Sequence, residues 1–379
     1  MKILAVYFGA GSGITIFYKR ILRELAKTAT IDVVSDAEPN SLLECVNRQY
    51  CIPFSKREQG WYRRFMRWFG TTPLSERWSR KVEAVVDNDY DVVVAFVATS
   101  QLTPVVCGRM LSQKWGCKFA VYAVDAIPAP GGWTRKRSEF RGKKRIIARN
   151  LAYADYVASS NPHMLEYQCS VFPNKPNLYP DVLLTPSPDR CFVAPPSEEM
   201  LFLYTGSLYG MRNPDHFFKA FKRLLVKYPN AQFLIVGIKK RFRNIDKILT
   251  AEEREHIISA PHTNDLEPLF ARAKVLVDID ADLERDPFLS SKIVTYLKVN
   301  RVILSETGKI TPSREMFAGL NTVVQCDHNE ESLYQGMLRA IELADSNPDF
   351  SEREELIKEF SIECVSEKMR KGLENICGK

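Results

Sequence analysis

The sequence lacks the patterns that mark several large classes of protein. Its five histidines show no ligand spacing, and its nine cysteines include no Cys-x-x-Cys pair. Zinc sites and disulfide frameworks are therefore disfavoured. No apolar run approaches the roughly 18–20 residues of a membrane span. The first segment, Met1–Phe8, has one lysine and no small-residue cleavage site, so it is not typical of a signal peptide and we expect a cytoplasmic protein.

The sequence does contain enough apolar residues for two cores. Of its 379 residues, 45% are hydrophobic and 26% are charged, and the net charge is +7. This composition excludes a disordered chain, and the length favours two domains, since a domain typically has roughly 100–200 residues. Residues 1–175 contain 26 Lys and Arg against 15 Asp and Glu, whereas the rest contains 27 against 31. The basic excess therefore belongs to the first half.

Two segments, 56–81 and 135–149, carry much of this basic excess. Within the first of them, arginines alternate with aromatic residues from Trp61 to Phe69. Such interleaving is typical of a helix on an anionic bilayer, with rings among the headgroups and cations near the phosphates. The alternative is a solvated helix face whose aromatics pack on their own domain. We predict contact with an anionic membrane surface or a pyrophosphate-bearing substrate, and no nucleic acid, because no nucleic-acid-binding motif accompanies the charge.

Short apolar segments alternate with amphipathic stretches in both halves, which indicates βαβ units around parallel sheets. The predicted strands of the first half are Lys2–Phe8, Ile31–Ser35, Asp91–Val97, Lys118–Val124 and Asp155–Ser159. Those of the second half are Leu201–Tyr204, Gln232–Val236, Val275–Ile279, Val302–Ser305 and Thr322–Gln325.

The pattern therefore predicts an α/β protein with two doubly wound, Rossmann-like domains. The first covers residues 1–175, a proline-rich linker covers 176–200, and the second domain covers 201–350. A helical tail over 351–379 is placed to pack back on the first domain. Ligands of such sheets bind at the carboxyl ends of the strands, and we expect the two edges to face each other across a cleft.

A glycine-rich loop follows the first predicted strand and opens a helix. It runs from Gly9 through Gly11 to Gly13, where missing Cβ atoms let the backbone approach a phosphate. We therefore take Gly11 as a candidate ligand-binding residue. A dehydrogenase fingerprint would need a third glycine where Ile14 stands, so an NAD-dependent oxidoreductase is a weaker alternative. A tight strand–helix turn without any ligand also remains open.

A second cluster lies in the second half. The segment Thr205–Pro214 includes Ser207 and places Arg212 just before a helix, and Asp286–Lys292 places Ser290, Ser291 and Lys292 at the start of another helix. Both segments follow strands and are expected at the same edge of one sheet. Arg212 and Lys292 would supply charge to a diphosphate, and the hydroxyls would supply directional hydrogen bonds. Helix capping by Ser290 and a surface ion pair at Arg212 remain the alternatives.

These segments carry a resemblance to a known family. Leu201–Ser207 with Arg212, Gln232–Gly237, Leu266–Val277 and Phe288–Leu297 resemble the strand and donor motifs of GT-B glycosyltransferases, in particular their retaining family 4, which includes mannosyltransferases and sucrose-synthase-like enzymes. In the first half, Ala154–Ser160 is similar to a further segment of the same family.

The resemblance implies transfer of a hexose from a nucleotide-sugar donor to a glycan or lipid-linked acceptor in polysaccharide biosynthesis. It implies retention of configuration and no cofactor. Gly237 and Asp286 would then contact the donor, and Asp125 would face the donor sugar. Arg212 and Lys292 would neutralise the leaving diphosphate, which itself can accept the proton of the acceptor hydroxyl.

One departure from the family pattern keeps alternatives open. The second glutamate of the family's donor motif falls on Thr295, and Asp286 stands near the place of the first. A non-catalytic binding or partner subunit is therefore an alternative, as is another GT-B enzyme such as a sugar-nucleotide epimerase.

The segment Asp278–Asp282 contains two Asp-x-Asp patterns, which hold a cation in another glycosyltransferase fold. We interpret it as a polar strand exit and predict no metal site.

Overall fold

The computed structural model describes residues 1–8, 13–36, 38, 43–98, 101–134, 136–171, 179–237, 242 and 244–379. The chain divides into two compact units. One consists of Met1–Pro186 together with Phe360–Lys379, and the other consists of Ser187–Glu359. Each unit contains one parallel sheet, so the predicted fold class, two parallel-sheet α/β domains, is confirmed.

The sheet of the first unit has seven strands in the order β3-β2-β1-β4-β5-β6-β7. Side chains alternate between the two faces of a strand, so Leu4 and Val6 pack in one apolar cluster while Ile3 and Ala5 pack in another. Burial on both faces explains why the strands read as continuous apolar runs. The strands are β1 (Lys2–Val6), β2 (Thr30–Ser35), β3 (Arg48–Cys51), β4 (Val92–Val97), β5 (Lys118–Ala123), β6 (Tyr156–Ser159) and β7 (Tyr179–Val182).

The helices of the first unit cover both faces of this sheet. The last of them comes from the end of the chain, and its apolar residues Val365, Met369 and Leu373 join the cluster that contains Ile3. The helices are α1 (Gly13–Leu25), α2 (Lys56–Phe69), α3 (Pro73–Glu83), α4 (Thr103–Trp115), α5 (Arg137–Leu151), α6 (Pro162–Val171) and α15 (Ile362–Cys377).

The basic segment 56–81 forms two helices rather than one. The first, α2, begins after a capping box formed by Ser55 and Glu58. It ends at Gly70, whose φ of 60° is left-handed. Pro73 then begins α3. At the start of a helix the backbone N–H has no partner within the helix, so the missing N–H of proline costs no hydrogen bond.

The sheet of the second unit has six strands in the order β10-β9-β8-β11-β12-β13. They are β8 (Leu201–Thr205), β9 (Gln232–Val236), β10 (Ile257–Ala260), β11 (Val275–Ile279), β12 (Val302–Glu306) and β13 (Val323–Cys326). The helices are α7 (Asp215–Lys227), α8 (Ile245–Ile248), α9 (Ala251–Glu255), α10 (Glu267–Arg272), α11 (Ser291–Tyr296), α12 (Pro312–Met316), α13 (Glu330–Asp345) and α14 (Glu354–Glu359).

The proline-rich stretch 176–200, predicted as a linker, includes one strand of the first sheet. Its first part supplies β7, an edge strand, where proline is tolerated because no partner strand requires its missing N–H. Its last part, from Ser187 onward, belongs to the second unit. The Phe192 N–H donates to the Lys298 carbonyl at 2.7 Å, and the Phe192 ring lies 6.0 Å from that of Phe270.

Candidate functional site

Two glycines end neighbouring strands at the carboxyl edge of the second sheet. Gly206 follows β8 with φ 119°, and Gly237 follows β9 with φ 107°, both in the region that L side chains avoid. The Gly206 N–H donates to the Val236 carbonyl at 2.6 Å. A Cβ atom on Gly237 would lie 3.1 Å from the Gly206 carbonyl oxygen. The two backbones therefore lie close together at an edge that is bare in the sense that neither glycine carries a side chain.

Lys292, the second residue of α11, crosses over this glycine edge. A Cβ atom on Gly206 would lie 2.8 Å from the Lys292 Cε atom. The Lys292 Nζ atom lies 5.3 Å from the centre of the Tyr204 ring. Burial, with the charge of Arg212, lowers the pKa of Lys292 to about 8, although the carboxylates of Asp278 and Asp280 oppose the shift.

Arg212 is the second cation at this edge. Its Nη2 atom lies 3.7 Å from Oδ1 of Asp280, whose side chain is only 1% exposed. Burial acts to lower the pKa of Arg212, but the charges of Asp280 and Asp278 outweigh it and raise the pKa. Burial raises the pKa of Asp280 to about 6, because the opposing effect of Arg212 is smaller and Asp278 adds a like charge.

Ser290 forms a hydrogen bond with Asp278, the second carboxylate beside Arg212 and Lys292. It occupies the N-cap position of α11, yet its side chain makes no capping hydrogen bond. Its hydroxyl instead donates to Asp278 Oδ1 at 2.6 Å, and both residues are fully buried. Ser290 is thus part of the charged cluster rather than a simple helix cap.

The remaining donor candidates of the second unit differ in exposure. Ser207 and Ser291 are exposed at this edge, with Ser207 after β8 and Ser291 at the start of α11. Asp286 is fully buried, and its backbone N–H donates to the Ile310 carbonyl at 3.2 Å. The hydroxyl of Thr295 donates to the Ser291 carbonyl at 3.1 Å, one turn back in α11.

The candidates of the first unit belong to a separate sheet edge. Asp125 is partly buried two residues after β5. Its negative charge adds to burial, the main cause, in raising the pKa of Tyr18. Gly11 and most of its glycine loop lie outside the described residues.

Sequence reasoning missed a buried pair near the same edge of the second sheet. Glu306, at the end of β12, is 0% exposed, and its Oε1 atom lies 3.0 Å from His328 Nδ1. Burial raises the pKa of Glu306. Burial acts to lower the pKa of His328, but the hydrogen bond and charge of Glu306 outweigh it and raise the pKa. No signal in the sequence connects these two residues, since Glu306 ends β12 and His328 follows β13.

The Asp-x-Asp segment has partners in the protein. Asp278 lies on β11 and contacts Ser290, and Asp280, just after the end of β11, lies near Arg212. Asp282 lies 3.7 Å from His216, between Oδ2 and Nε2. Within the described ranges, no group of three or more His, Cys, Asp or Glu side chains is arranged to hold a metal ion.

A second surface feature lies on α2 of the first unit, and we call it the aromatic–arginine face. Its members are Trp61, Arg64, Phe65, Trp68 and Phe69. The Arg64 guanidinium lies 5.3 Å from the Trp61 ring and 5.1 Å from the Trp68 ring, and Trp68 is 64% exposed. The ring centre of Phe65 lies 6.1 Å from that of Trp61 and 6.0 Å from that of Phe69.

The opposite side of α2 faces the core. Tyr62 and Met66 are buried in the first unit, and a Cβ on Gly142 of α5 would meet the Met66 carbonyl oxygen at 2.1 Å. The Arg67 Nη2 atom lies 3.5 Å from Glu139 Oε2, and the Arg67 side chain is only partly exposed. In the part of the chain that the structure describes, no helix is both long and apolar enough to cross a bilayer.

Residues 189–278 match the protein family described as Glycosyl transferases group 1. This range includes β8, β9, β10 and all but the last residue of β11, with Arg212 and Asp278. No curated protein matches the chain.

Solved structures of similar fold cover nearly the whole chain. The Anabaena protein HepE in complex with UDP has a TM-score of 0.71 at 12% identity, over 99% of this chain and 100% of its own. The pneumococcal O-GlcNAc transferase GtfA, in complex with UDP and GlcNAc, has a TM-score of 0.68 at 9% identity, over 100% and 99%. The UDP-GlcNAc 2-epimerase of Neisseria meningitidis, bound to UDP-GlcNAc, has a TM-score of 0.57 at 11% identity, over 99% and 100%. A stretch of the second unit thus matches the glycosyl transferases group 1 model, and the chain as a whole shares its fold with GT-B glycosyltransferase structures.

Proposed function

We propose that this protein is a glycosyltransferase that moves a hexose from a nucleotide-sugar donor to a glycan or lipid-linked acceptor. UDP-sugars are the first donors to test. The observation that carries the proposal is the convergence of Lys292 and Arg212 at the bare edge formed by Gly206 and Gly237. Two cations beside an edge without side chains suit a diphosphate, which needs both charge and close approach. The matched family and the UDP complexes of similar fold support the same donor class.

In this proposal the reaction depends on stabilising the leaving group. Arg212 and Lys292 neutralise the charge that grows on the departing diphosphate, in a site where partial burial strengthens the interaction. Ser207 and Ser291 offer hydroxyls beside it, and Asp286 and Ser290 shape the loop that leads into α11. Asp125 orients the acceptor from the first unit. The departing phosphate accepts the acceptor's proton, configuration is retained as in family 4, and neither a metal nor another cofactor is required.

We also infer that the first unit binds an anionic membrane at its cytoplasmic side, where a lipid-linked acceptor would be presented. The aromatic–arginine face supports this inference, because exposed tryptophans suit the headgroup layer and arginine suits lipid phosphate. Several basic residues of α5, including Arg141, Lys144 and Arg145, are exposed as well, and they add long-range attraction.

Two other functions remain as alternatives. A sugar-nucleotide epimerase is favoured by the fold that the chain shares with the meningococcal enzyme. A non-catalytic partner subunit is favoured by Thr295, which stands where the family has glutamate and bonds to its own helix.

Two assays separate these functions. In the first, thermal shifts with UDP, GDP, ADP, CMP and NAD identify the ligand class, and stabilisation by NAD alone would contradict the proposal. In the second, radiolabelled UDP-sugars are incubated with the full chain and lipid-linked acceptors, with Lys292→Ala as the matched control. Transfer of label to the acceptor supports a transferase, recovery of label in an epimeric UDP-sugar supports the epimerase, and binding without either product supports the partner subunit.

A further inference from the structure

Asp280 faces the same cation that a donor diphosphate would use. Arg212 Nη2 lies 3.7 Å from Asp280 Oδ1, and that oxygen also accepts the Ala281 N–H at 3.0 Å. The other carboxylate oxygen accepts the Ser313 hydroxyl at 3.4 Å. These bonds fix the carboxylate in place beside Arg212, so an anion that approaches Arg212 must also approach Asp280.

The charges at this edge are balanced before any anion arrives. Arg212 and Lys292 contribute two positive charges, and Asp278 and Asp280 contribute two negative ones, all acting on one another. A nucleotide-sugar diphosphate brings two further negative charges. Uncompensated charge in a buried site is costly, so the site gains by neutralising one of its own carboxylates.

The two carboxylates are not equivalent in this respect. Asp278 receives the Ser290 hydroxyl at 2.6 Å, a contact that does not involve the cations. Asp280 depends on Arg212, the group for which the diphosphate competes. Asp280 is therefore the group expected to lose its compensation when the diphosphate binds.

We propose that Asp280 couples donor binding to the uptake of one proton from solvent: the diphosphate and the Asp280 carboxylate compete for Arg212, and the carboxylate becomes a neutral carboxylic acid as the diphosphate binds. This inference rests on the proposed donor site and adds a regulation to it. It also gives Asp280 a role in release, because loss of the proton restores the competing carboxylate and favours departure of the nucleotide. Asp280 acts here as a positioning and regulating residue and takes no part in bond making.

The expected pH dependence follows from the charges around Asp280. Burial raises the pKa of Asp280 to about 6, and a bound diphosphate raises it further. The bound state then holds more protons than the free state, so donor affinity falls as the pH rises above about 6, by up to about tenfold per pH unit. Below about pH 6 the carboxyl is already neutral and the dependence disappears.

Other titrating groups face the same region and need separate controls. Lys292 on α11, with a pKa of about 8, weakens binding above that pH as it loses its charge. Glu306 on β12 and His328 after β13 form their own pair. His216 on α7 pairs with Asp282, and Tyr204 on β8 has a pKa raised by burial. Asp278 on β11 completes the set.

The test is calorimetric titration of the full chain with UDP-glucose, or with UDP-GlcNAc if UDP-glucose does not bind. A nucleotide-sugar diphosphate diester does not itself titrate near neutral pH, unlike UDP. Measurement in two buffers of different ionisation enthalpy counts the protons taken up. We expect uptake of close to one proton for the wild type at about pH 7, and none for Asp280→Asn, which should also bind more tightly at that pH. Asp282→Asn and His328→Gln should keep the wild-type uptake.

Each outcome decides the proposal. Donor binding without proton uptake in the wild type overturns it, and this measurement needs no variant if Asp280→Asn fails to fold. Equal uptake in the wild type and Asp280→Asn also overturns it. In both cases the proposed transferase function survives, whereas failure of every nucleotide sugar to bind removes that function and this inference together.

Discussion

Lys292 and Gly206 are in direct contact: the lysine side chain occupies the space that any Cβ at position 206 would enter, 2.8 Å from its Cε atom. Gly206→Ala should therefore displace Lys292 and weaken nucleotide binding. It should also lower the free energy of unfolding by about 1–3 kcal/mol, because φ 119° is strained for alanine. Urea unfolding and UDP calorimetry measure the two effects. Gly319→Ala is the control, since no atom lies within 4 Å of a Cβ there. Equal donor binding by wild type and Gly206→Ala would contradict the contact's role.

Lys292→Met should separate binding from stability. The folded pKa of about 8 lies below the ordinary value of 10.5, so the unfolded chain holds more protons between these values. Stability therefore rises with pH through that window, and at pH 7 the lysine charge disfavours the folded state. At pH 7 we expect the midpoint of urea unfolding of the variant to be at least as high as that of the wild type. Its affinity for the nucleotide should nevertheless be lower.

The control for this variant is a nearby lysine with a structural role. Lys298 Nζ donates to the Pro188 carbonyl at 2.5 Å. Lys298→Met should lower the free energy of unfolding by about 1–3 kcal/mol and leave nucleotide binding unchanged. A loss of both properties in Lys292→Met would instead indicate that Lys292 is a structural residue.

Transfer should persist in EDTA. The carboxylates of the Asp-x-Asp segment already have Ser290 and Arg212 as partners, and Arg212 and Lys292 supply the positive charge that a metal would otherwise provide. The measurement is release of UDP from the donor before and after chelation. Activity that EDTA abolishes and Mn²⁺ restores would reassign Asp278 and Asp280 as metal ligands.

Reversing the charge of the exposed arginines of α2 should release the protein from anionic vesicles. Arg63 and Arg64 are exposed, whereas Arg67 is partly buried against Glu139, so Arg63→Glu/Arg64→Glu is the cleaner variant. Each basic residue contributes roughly 1 kcal/mol near an anionic surface, and two reversals should lower affinity by on the order of 100-fold. Co-sedimentation at low and high salt measures the effect.

Two further variants serve as controls for this experiment. Lys219→Glu/Arg339→Glu changes the net charge equally, but on exposed positions of the second unit, and should leave vesicle binding intact. Trp68→Ser should weaken binding without a change of charge. If the wild type does not bind anionic vesicles at low salt, the membrane inference is wrong.

The fold was largely predictable because buried parallel strands are continuous apolar runs. The predicted strands Gln232–Val236 and Val275–Ile279 coincide with β9 and β11. The strands that were missed, β3, β7 and β10, lie at or near the sheet edges. β3 and β10 are only partly buried and carry polar residues, so they lack that signal.

The candidate site was predictable only in part. Carboxyl ends of parallel strands share one edge, so Arg212 and Lys292 were expected together. Lys292 lies against Gly206, Arg212 lies near Asp280, and the two cations act on each other. The Asp-x-Asp spacing predicts that Asp278 and Asp280 share a face, but not whether they face a metal, a serine or an arginine. That choice depends on where α11 and the loop before α7 pack, which is a tertiary relationship.

The most direct test of the account is calorimetric binding of UDP to the wild type, Arg212→Ala and Lys292→Ala at pH 7. Loss of one charged contact to a partly buried phosphate should weaken binding by about 1.5–3 kcal/mol in each variant. We predict binding by the wild type and a loss of roughly 10- to 150-fold in each variant. UDP binding that is unchanged in both variants, or absent from the wild type, would contradict a diphosphate site at this edge.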